Sequence, residues 1–205
     1  MAVTAPHLRK LRKLKRSDNK ASPVEDDVAK ALYDLELNHK SLGKYIRRFH
    51  VNTAKEIEHP ISKKKALVIL YPLRYLMLVR KIQKVLIAEL EKKFSGKTVM
   101  IVAARKVAKR PTEAYKLVKV QRSRTSTAVF ENILHDLLHP SDIVGQRIKC
   151  RVDGSKVRKV FVDARDRKRI ESRLPLISYV YKQLTHRFIS FGFMWNPKLQ
   201  QVSSR

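Results

Sequence analysis

Phe94-Ser95-Gly96-Lys97-Thr98-Val99-Met100-Ile101-Val102-Ala103-Ala104 is the stretch on which the reading of the fold turns. The unbroken apolar run from Val99 to Ala104 predicts a strand buried on both faces and central in its sheet. Residues 73–94 just before it predict a long helix, with Leu78, Val79, Ile82, Leu86, Leu90 and Phe94 turned inward. Gly96 supplies the C-terminal cap of that helix. Working backwards, residues 66–71 predict another strand buried on both faces, ended by Pro72, and residues 52–58 a first strand. Ser22-Pro23-Val24-Glu25 is a helix start: Ser22 caps, Pro23 fits the first helical position and Glu25 completes a capping box. Val24, Val28, Ala31, Leu32 and Leu35 then make one apolar stripe. Leu42, Tyr45, Ile46 and Phe49 suggest a short second helical turn.

Working forwards, residues 105–124 carry no apolar period and are broken by Pro111, which predicts a loop or extended excursion; loops of such length are uncommon unless functional. Residues 127–139 predict a helix, from Phe130, Ile133, Leu134, Leu137 and Leu138 at helical spacing, and Pro140 stops it. Ile148, Cys150 and Val152 alternate with Lys149 and Arg151, and Val160 and Val162 alternate with Lys159 and Phe161. Asp153-Gly154 between the two runs is a hairpin signal. Residues 165–169 read as a second basic loop, residues 176–184 as a helix, and residues 188–193 as a last strand. The expectation is an α+β fold whose order of helix, strand, strand, helix and strand is stated twice around the basic excursion. The expected division is a basic arm (1–21), an α+β domain (22–194, with halves 22–104 and 125–194 joined by 105–124) and a tail (195–205).

Charge narrows the function. The chain of 205 residues has 46 Lys and Arg against 18 Asp and Glu, a formal net charge of +28, with 43% hydrophobic residues to build a core. Such an excess repels itself in a compact state unless a polyanion neutralises it, and nucleic acid is the leading polyanion because each phosphate bound releases counterions. A membrane surface is second. No stretch approaches ~18 consecutive apolar residues, and no signal-peptide pattern opens the chain. The charge lies in blocks. Residues 61–96 hold nine basic side chains against two acidic, residues 97–125 hold nine against one, and residues 146–174 hold eleven against four. The helices at 24–38 and 127–139 are acidic islands, as if one side faced RNA and another protein or water. Residues 1–20, seven basic against one acidic, can form a short basic helix but read first as a disordered arm that orders on a polyanion. The side chains expected to contact RNA, chiefly at phosphates, are Lys97, Arg105, Lys106, Lys109, Arg110, Lys116, Lys119, Arg122 and Arg124 in the block 97–125. In the block 146–174 they are Arg147, Lys149, Arg151, Lys156, Arg158, Arg165, Arg167, Lys168 and Arg169.

Signals for chemistry are few. His135-Asp136-Leu137-Leu138-His139 places two histidines four apart on a helix, as in zinc proteases. A catalytic zinc needs three protein ligands, no third is evident, and both histidines fit the polar helix face, so no metal is expected. The five glycines fall at neither phosphate-loop nor dinucleotide spacing. Cys150, the one cysteine, reads as a small inward-pointing strand residue, not a nucleophile. Glu56 and Glu58 share a strand face, which an exposed edge beside Lys55 explains. Neither a Gly-x-x-Gly phosphate clamp nor paired aromatic strand motifs of the common RNA-binding modules are present, which argues against sequence-specific single-strand reading. No enzymatic activity, cofactor or small-molecule substrate is expected.

Several motifs resemble one family. Glu89-Leu90-Glu91-Lys92-Lys93-Phe94-Ser95-Gly96-Lys97 is similar to a signature of the eukaryotic small-subunit ribosomal protein family S-seven-e. So are Ala54-Lys55-Glu56-Ile57-Glu58 and Arg122-Ser123-Arg124-Thr125 with Thr127-Ala128-Val129 after it. Pro140-Ser141-Asp142-Ile143-Val144-Gly145 and Asp153-Gly154-Ser155-Lys156 match too, in order and spacing, from about residue 24 to residue 193. The arm, residues 112–120 and the tail depart from the pattern. The resemblance implies a structural constituent of the cytosolic small ribosomal subunit, bound to its ribosomal RNA beside neighbouring ribosomal proteins and present on nucleolar precursor particles during assembly and RNA maturation. The competing expectations are a free RNA-binding assembly factor absent from mature subunits and a binder of membrane surfaces or acidic proteins.

Overall fold

The computed structural model describes residues 6–11, 21–109 and 120–194. The chain divides into two compact units, Met1–Val129 and Phe130–Arg205. Both are mixed α and β, and each is built on one three-stranded sheet.

In the first unit, α1 (Pro23–Asn38) and α2 (Lys40–Ile46) precede β1 (Thr53–Glu58) and β2 (Lys65–Pro72); α3 (Leu76–Lys93) then leads to β3 (Lys97–Ala104). The start of α1 is fixed locally. The Glu25 amide donates to Ser22 Oγ at 3.3 Å, and the Ser22 amide donates to the Glu25 carboxylate at 2.9 Å, closing a capping box. β1 and β2 pair antiparallel, and β3 adds parallel to β2 through the α3 crossover. A short 3-10 turn, Leu73–Tyr75, separates Pro72 from α3. Gly96, at φ +79°, turns the chain from α3 into β3 with a backbone that a residue bearing Cβ adopts at a cost.

The core lies on one face of the sheet. Leu67, Ile69 and Tyr71 of β2 and Val99, Ile101 and Ala103 of β3 meet Leu32 of α1, Ile46 of α2 and Val79, Leu86 and Leu90 of α3. The alternate residues Ala66, Val68, Met100 and Val102 are buried as well. β3 is nevertheless an edge strand, with β2 at the centre. An unbroken apolar run reports that both faces of a strand are covered and says nothing of how many neighbours it pairs with.

The N-terminal segment also departs from the expectation of a disordered arm. Pro6–Lys10 forms a 3-10 turn, and Leu11 makes a parallel bridge to Val51. Lys10 is 5% exposed; its Nζ donates to the Ile46 carbonyl at 2.8 Å and pairs with Glu36. That pair, buried on the Lys10 side, fastens the segment to α1 and the end of α2. Residues 1–5, 12–20 and the tail 195–205 lie outside the described residues.

In the second unit, α4 (Ser126–Leu138), whose first residues belong to the first unit, leads into β4 (Ile143–Cys150) and β5 (Lys156–Asp163). α5 (Arg167–Ile170), α6 (Leu174–Thr185) and β6 (Ile189–Met194) follow. β4 and β5 are an antiparallel hairpin, and β6 adds parallel to β5. Gly154, at φ +78°, makes the hairpin turn, its amide donating to the Arg151 carbonyl at 3.0 Å. Val160, Val162 and Ile189 are buried, as are Leu176, Ile177, Val180 and Tyr181 on α6. Segment 165–169 is not a loop. Asp163 accepts from the Arg165 amide at 3.0 Å, a 3-10 turn gives way to α5, and buried Ile170 anchors it.

β4 overturns a second expectation. Ile148 is 59% exposed, Cys150 is exposed, and Val152 stands fully in solvent. The register gives the reason for the last two. β6 pairs with β5 only from Arg158 to Asp163, whereas the hairpin continues to Cys150 and Lys156. Past Arg158 the hairpin is a two-stranded finger that runs beyond the rest of the sheet, and Cys150 and Val152 lie on that overhang.

Candidate nucleic-acid interface

Alternation sets the two faces of the second sheet. Cross-strand partners share a face, so Val160, Val162 and Ile189 place Ile148, Cys150, Arg158 and Phe191 on the inner one. The outer face carries Arg147, Lys149, Lys159 and Phe161, with Gly192 beside Phe161 on β6. Arg147, Lys149 and Lys159 are exposed, and Phe161 is half-buried. The Arg147 guanidinium lies 5.6 Å and the Lys159 ammonium 5.4 Å from the Phe161 ring centroid. Gly192 leaves the ring uncovered: a Cβ there would stand 3.4 Å from two of its carbons. This surface can take phosphates on its cations and stack an unpaired base on its ring. Lys159 and Phe161 are not among the side chains expected from sequence to touch RNA. The signal for them was the strand alternation itself, which turns Phe161 outward between basic neighbours.

Lys149 and Arg151 extend the face along the hairpin finger, and Lys156, paired with Cys150, stands on the opposite face; all three are exposed. Arg158 does not join them. It is 9% exposed, on the inner face, with its guanidinium 3.2 Å from Gln146 Oε1 and 3.4 Å from Glu131 Oε1. It ties β5 to β4 and α4, so its charge is spent inside the unit. At the far end of β5, Arg167 grips Glu171 with Nε and Nη2, both at 3.2 Å, a hydrogen bond that raises its pKa further. Arg169 is 3.0 Å from Asp166 and 3.1 Å from Ser141 Oγ. Lys168 and Arg165 are exposed on the same turn.

The first unit presents the other group. Lys106, Lys109, Arg122 and Arg124 are exposed, while Arg105 is half-buried with Nη1 donating to the Ala103 carbonyl at 3.3 Å. The Ala108 amide donates to the Arg124 carbonyl at 2.9 Å, which closes the base of the basic segment. Thr125 Oγ1 donates to the Arg122 carbonyl at 2.6 Å and stiffens the 3-10 turn that holds both arginines. Lys97 is 3.1 Å from Glu56 on β1. Arg110, Lys116 and Lys119 lie outside the described residues. Among the described residues, no carboxylate lies within ion-pair distance of Lys106, Lys109, Arg122, Arg124, Arg147, Lys149, Arg151 or Lys156. No three His, Cys, Asp or Glu side chains converge among those residues either. None of the helices among them is long and apolar enough to cross a membrane.

The family model described as Ribosomal protein S7e matches residues 12–193. The small ribosomal subunit protein eS7 of Drosophila melanogaster is 42% identical over 172 residues, covering 82% of this chain and 87% of its own. That of Manduca sexta is 39% identical over 183 residues, covering 88% and 95%. The Arabidopsis thaliana protein eS7z is 39% identical over 172 residues, covering 84% and 89%.

Proposed function

This chain belongs to the ribosomal protein S7e family, and we propose from that premise that it is a structural constituent of the cytosolic small ribosomal subunit. It binds small-subunit ribosomal RNA and neighbouring ribosomal proteins, and it joins the precursor particle in the nucleolus, where it acts in assembly and RNA maturation. The observation that carries the RNA reading is the set of exposed cations that, among the described residues, have no carboxylate partner. Lys106, Lys109, Arg122 and Arg124 flank the base of the basic segment, and Arg147, Lys149, Arg151 and Lys156 run along β4 and its hairpin. Arg110, Lys116 and Lys119 continue the first group along the connector, residues 105–124. Phosphate contacts of this kind fix a protein's position without reading sequence. Phe161 adds one stacking surface to an otherwise electrostatic grip. Arg158 acts from within by joining β4, β5 and α4, and Arg167 and Arg169 act through the turn they brace.

Co-sedimentation tests the proposal. The chain should migrate in equal amount with mature small subunits at both moderate and high salt. A chain found only on precursor particles would be an assembly factor, and one that floats with vesicles would be a membrane binder; either result sinks the structural role.

A further inference from the structure

A cleft of about 1200 Å³ opens in the first unit between the end of α2 and the start of α3. Lys44, Arg47 and Arg48 line it from the α2 side, and Arg74 and Lys81 line it from the α3 side. All five are exposed, and no carboxylate lines the cleft. Among the described residues none of the five makes an ion pair. Five like charges around one concavity repel each other and focus a positive potential into it. That arrangement costs least when an anion fills it.

The cations sit on built structure. Phe49, 1% exposed, anchors the turn after α2 and meets Tyr75 edge-on, ring centroids 6.2 Å apart. The His50 ring lies nearly parallel to Tyr75 at 5.9 Å, and its Nδ1 is 3.1 Å from the Tyr75 hydroxyl. The Arg74 guanidinium stands 4.6 Å from the Tyr75 centroid and donates to its hydroxyl at 2.5 Å. Tyr75 thus orients two ligand-facing groups at once. It is also the residue from which α3 starts, with no side-chain cap and no acidic residue in the first turn. The positive end of an 18-residue helix therefore adds to the field in the cleft. At the rim Tyr45 is 43% exposed.

We propose that this cleft is a second RNA site, which takes the phosphodiester backbone of an unpaired strand on Arg47, Arg48, Arg74 and Lys81 and stacks one base on Tyr45. The choice of RNA as ligand rests on the function proposed above. Two features favour RNA over a membrane surface: the site is concave, and arginine forks alternate with aromatic rings, which suits phosphate and base together. Arg74 and Lys81 lie in the basic block 61–96, whereas Arg47 and Arg48 lie outside the basic blocks; α2 and α3 bring them together across a strand hairpin.

The test uses the full chain and a fluorescent ten-nucleotide oligo(U) carrying 4-thiouridine. Crosslinks should map to Tyr45 and to residues 74–78. The Arg47→Gln/Arg74→Gln variant should lower the log–log salt slope by about 1.4, at ~0.7 per phosphate on a single strand. The same exponent over the tenfold span from 1 M to 0.1 M salt makes each phosphate worth about fivefold at 0.1 M, so the pair costs about 25-fold. Tyr45→Ala should weaken oligo(U) at least about fivefold and leave a blunt duplex unaffected. Three results would overturn the proposal. If both cleft variants keep oligo(U) affinity and slope while Arg122→Glu/Arg124→Glu loses them, the cleft is not a site and the RNA reading stands. If the cleft variants lose only binding to phosphatidylserine vesicles, the cleft serves lipid. If the unaltered chain binds no oligo(U), the RNA reading fails and takes the cleft with it.

Discussion

Replacing Gly43 by alanine sets two effects of opposite sign against each other. Gly43 lies inside α2, where alanine gains about 1 kcal/mol over glycine in helix propensity. A Cβ built on Gly43, however, would stand 2.8 Å from the carbonyl oxygen of Glu36 on α1. That oxygen is backbone at a helix end and cannot swing aside. α2 must therefore back away from α1, and it carries Leu42 and Ile46, both buried in the core, with it. Overpacking of this kind costs about 1–3 kcal/mol, and a rigid obstacle puts the cost in the upper part of that range. The clash outweighs the propensity gain, and the net loss is about 1–2 kcal/mol. In a chain of this size, each kcal/mol lowers Tm by roughly 2–4 °C, so thermal melting followed by circular dichroism should show a fall of about 2–8 °C. A rise in Tm would mean that the propensity term wins and that α1 and α2 are less tightly joined than their close approach implies.

Lys10→Ala should cost about 2–3 kcal/mol, because it removes a hydrogen bond to the Ile46 carbonyl and leaves Glu36 without its partner. Urea denaturation should show the drop, and Lys10→Met, which keeps the buried stem, should lose less. Reversing Arg122 and Arg124 to Glu should weaken binding to many RNAs alike and flatten the salt slope by ~0.7–0.9 for each phosphate no longer held, as read by binding titrations at several salt concentrations. Glu131→Ala should leave RNA affinity unchanged in the same titrations. Its carboxylate is about half exposed beside Arg158, so the stability cost should stay under about 1 kcal/mol.

What could be read from the sequence was whatever is decided locally or by periodicity. Ser22 and Glu25 close their capping box over three residues, and the apolar stripe of α1 needs only its own spacing. Gly154 takes the positive φ that its turn requires. Position within a sheet is decided by other strands, which is why β3 is an edge although its composition suggests a centre. Ile148 and Cys150 alternate like core residues, yet both are exposed, and Cys150 lies on the part of the hairpin that runs past β6. Arg158 was recoverable: it is in phase with Val160 and Val162, and those two valines already turn that face inward. Lys10 was not, because its partners Glu36 and Ile46 come from α1 and α2. The cleft was invisible for the same reason, since its cations belong to separate helices and look, along the chain, like ordinary solvated surface.

The most direct test is the reactivity of single lysines toward acetylation, compared between the free chain and purified small subunits. Lys106, Lys109, Lys149 and Lys156 are exposed, and so are Lys30 and Lys84, which lie outside residues 97–125 and 146–174. The account predicts that the first four become protected in the subunit, that digestion of the RNA restores their reactivity, and that Lys30 and Lys84 stay equally reactive after digestion as before. If the four remain as reactive in the subunit as in the free chain, or if protection survives removal of the RNA, the basic faces do not grip RNA.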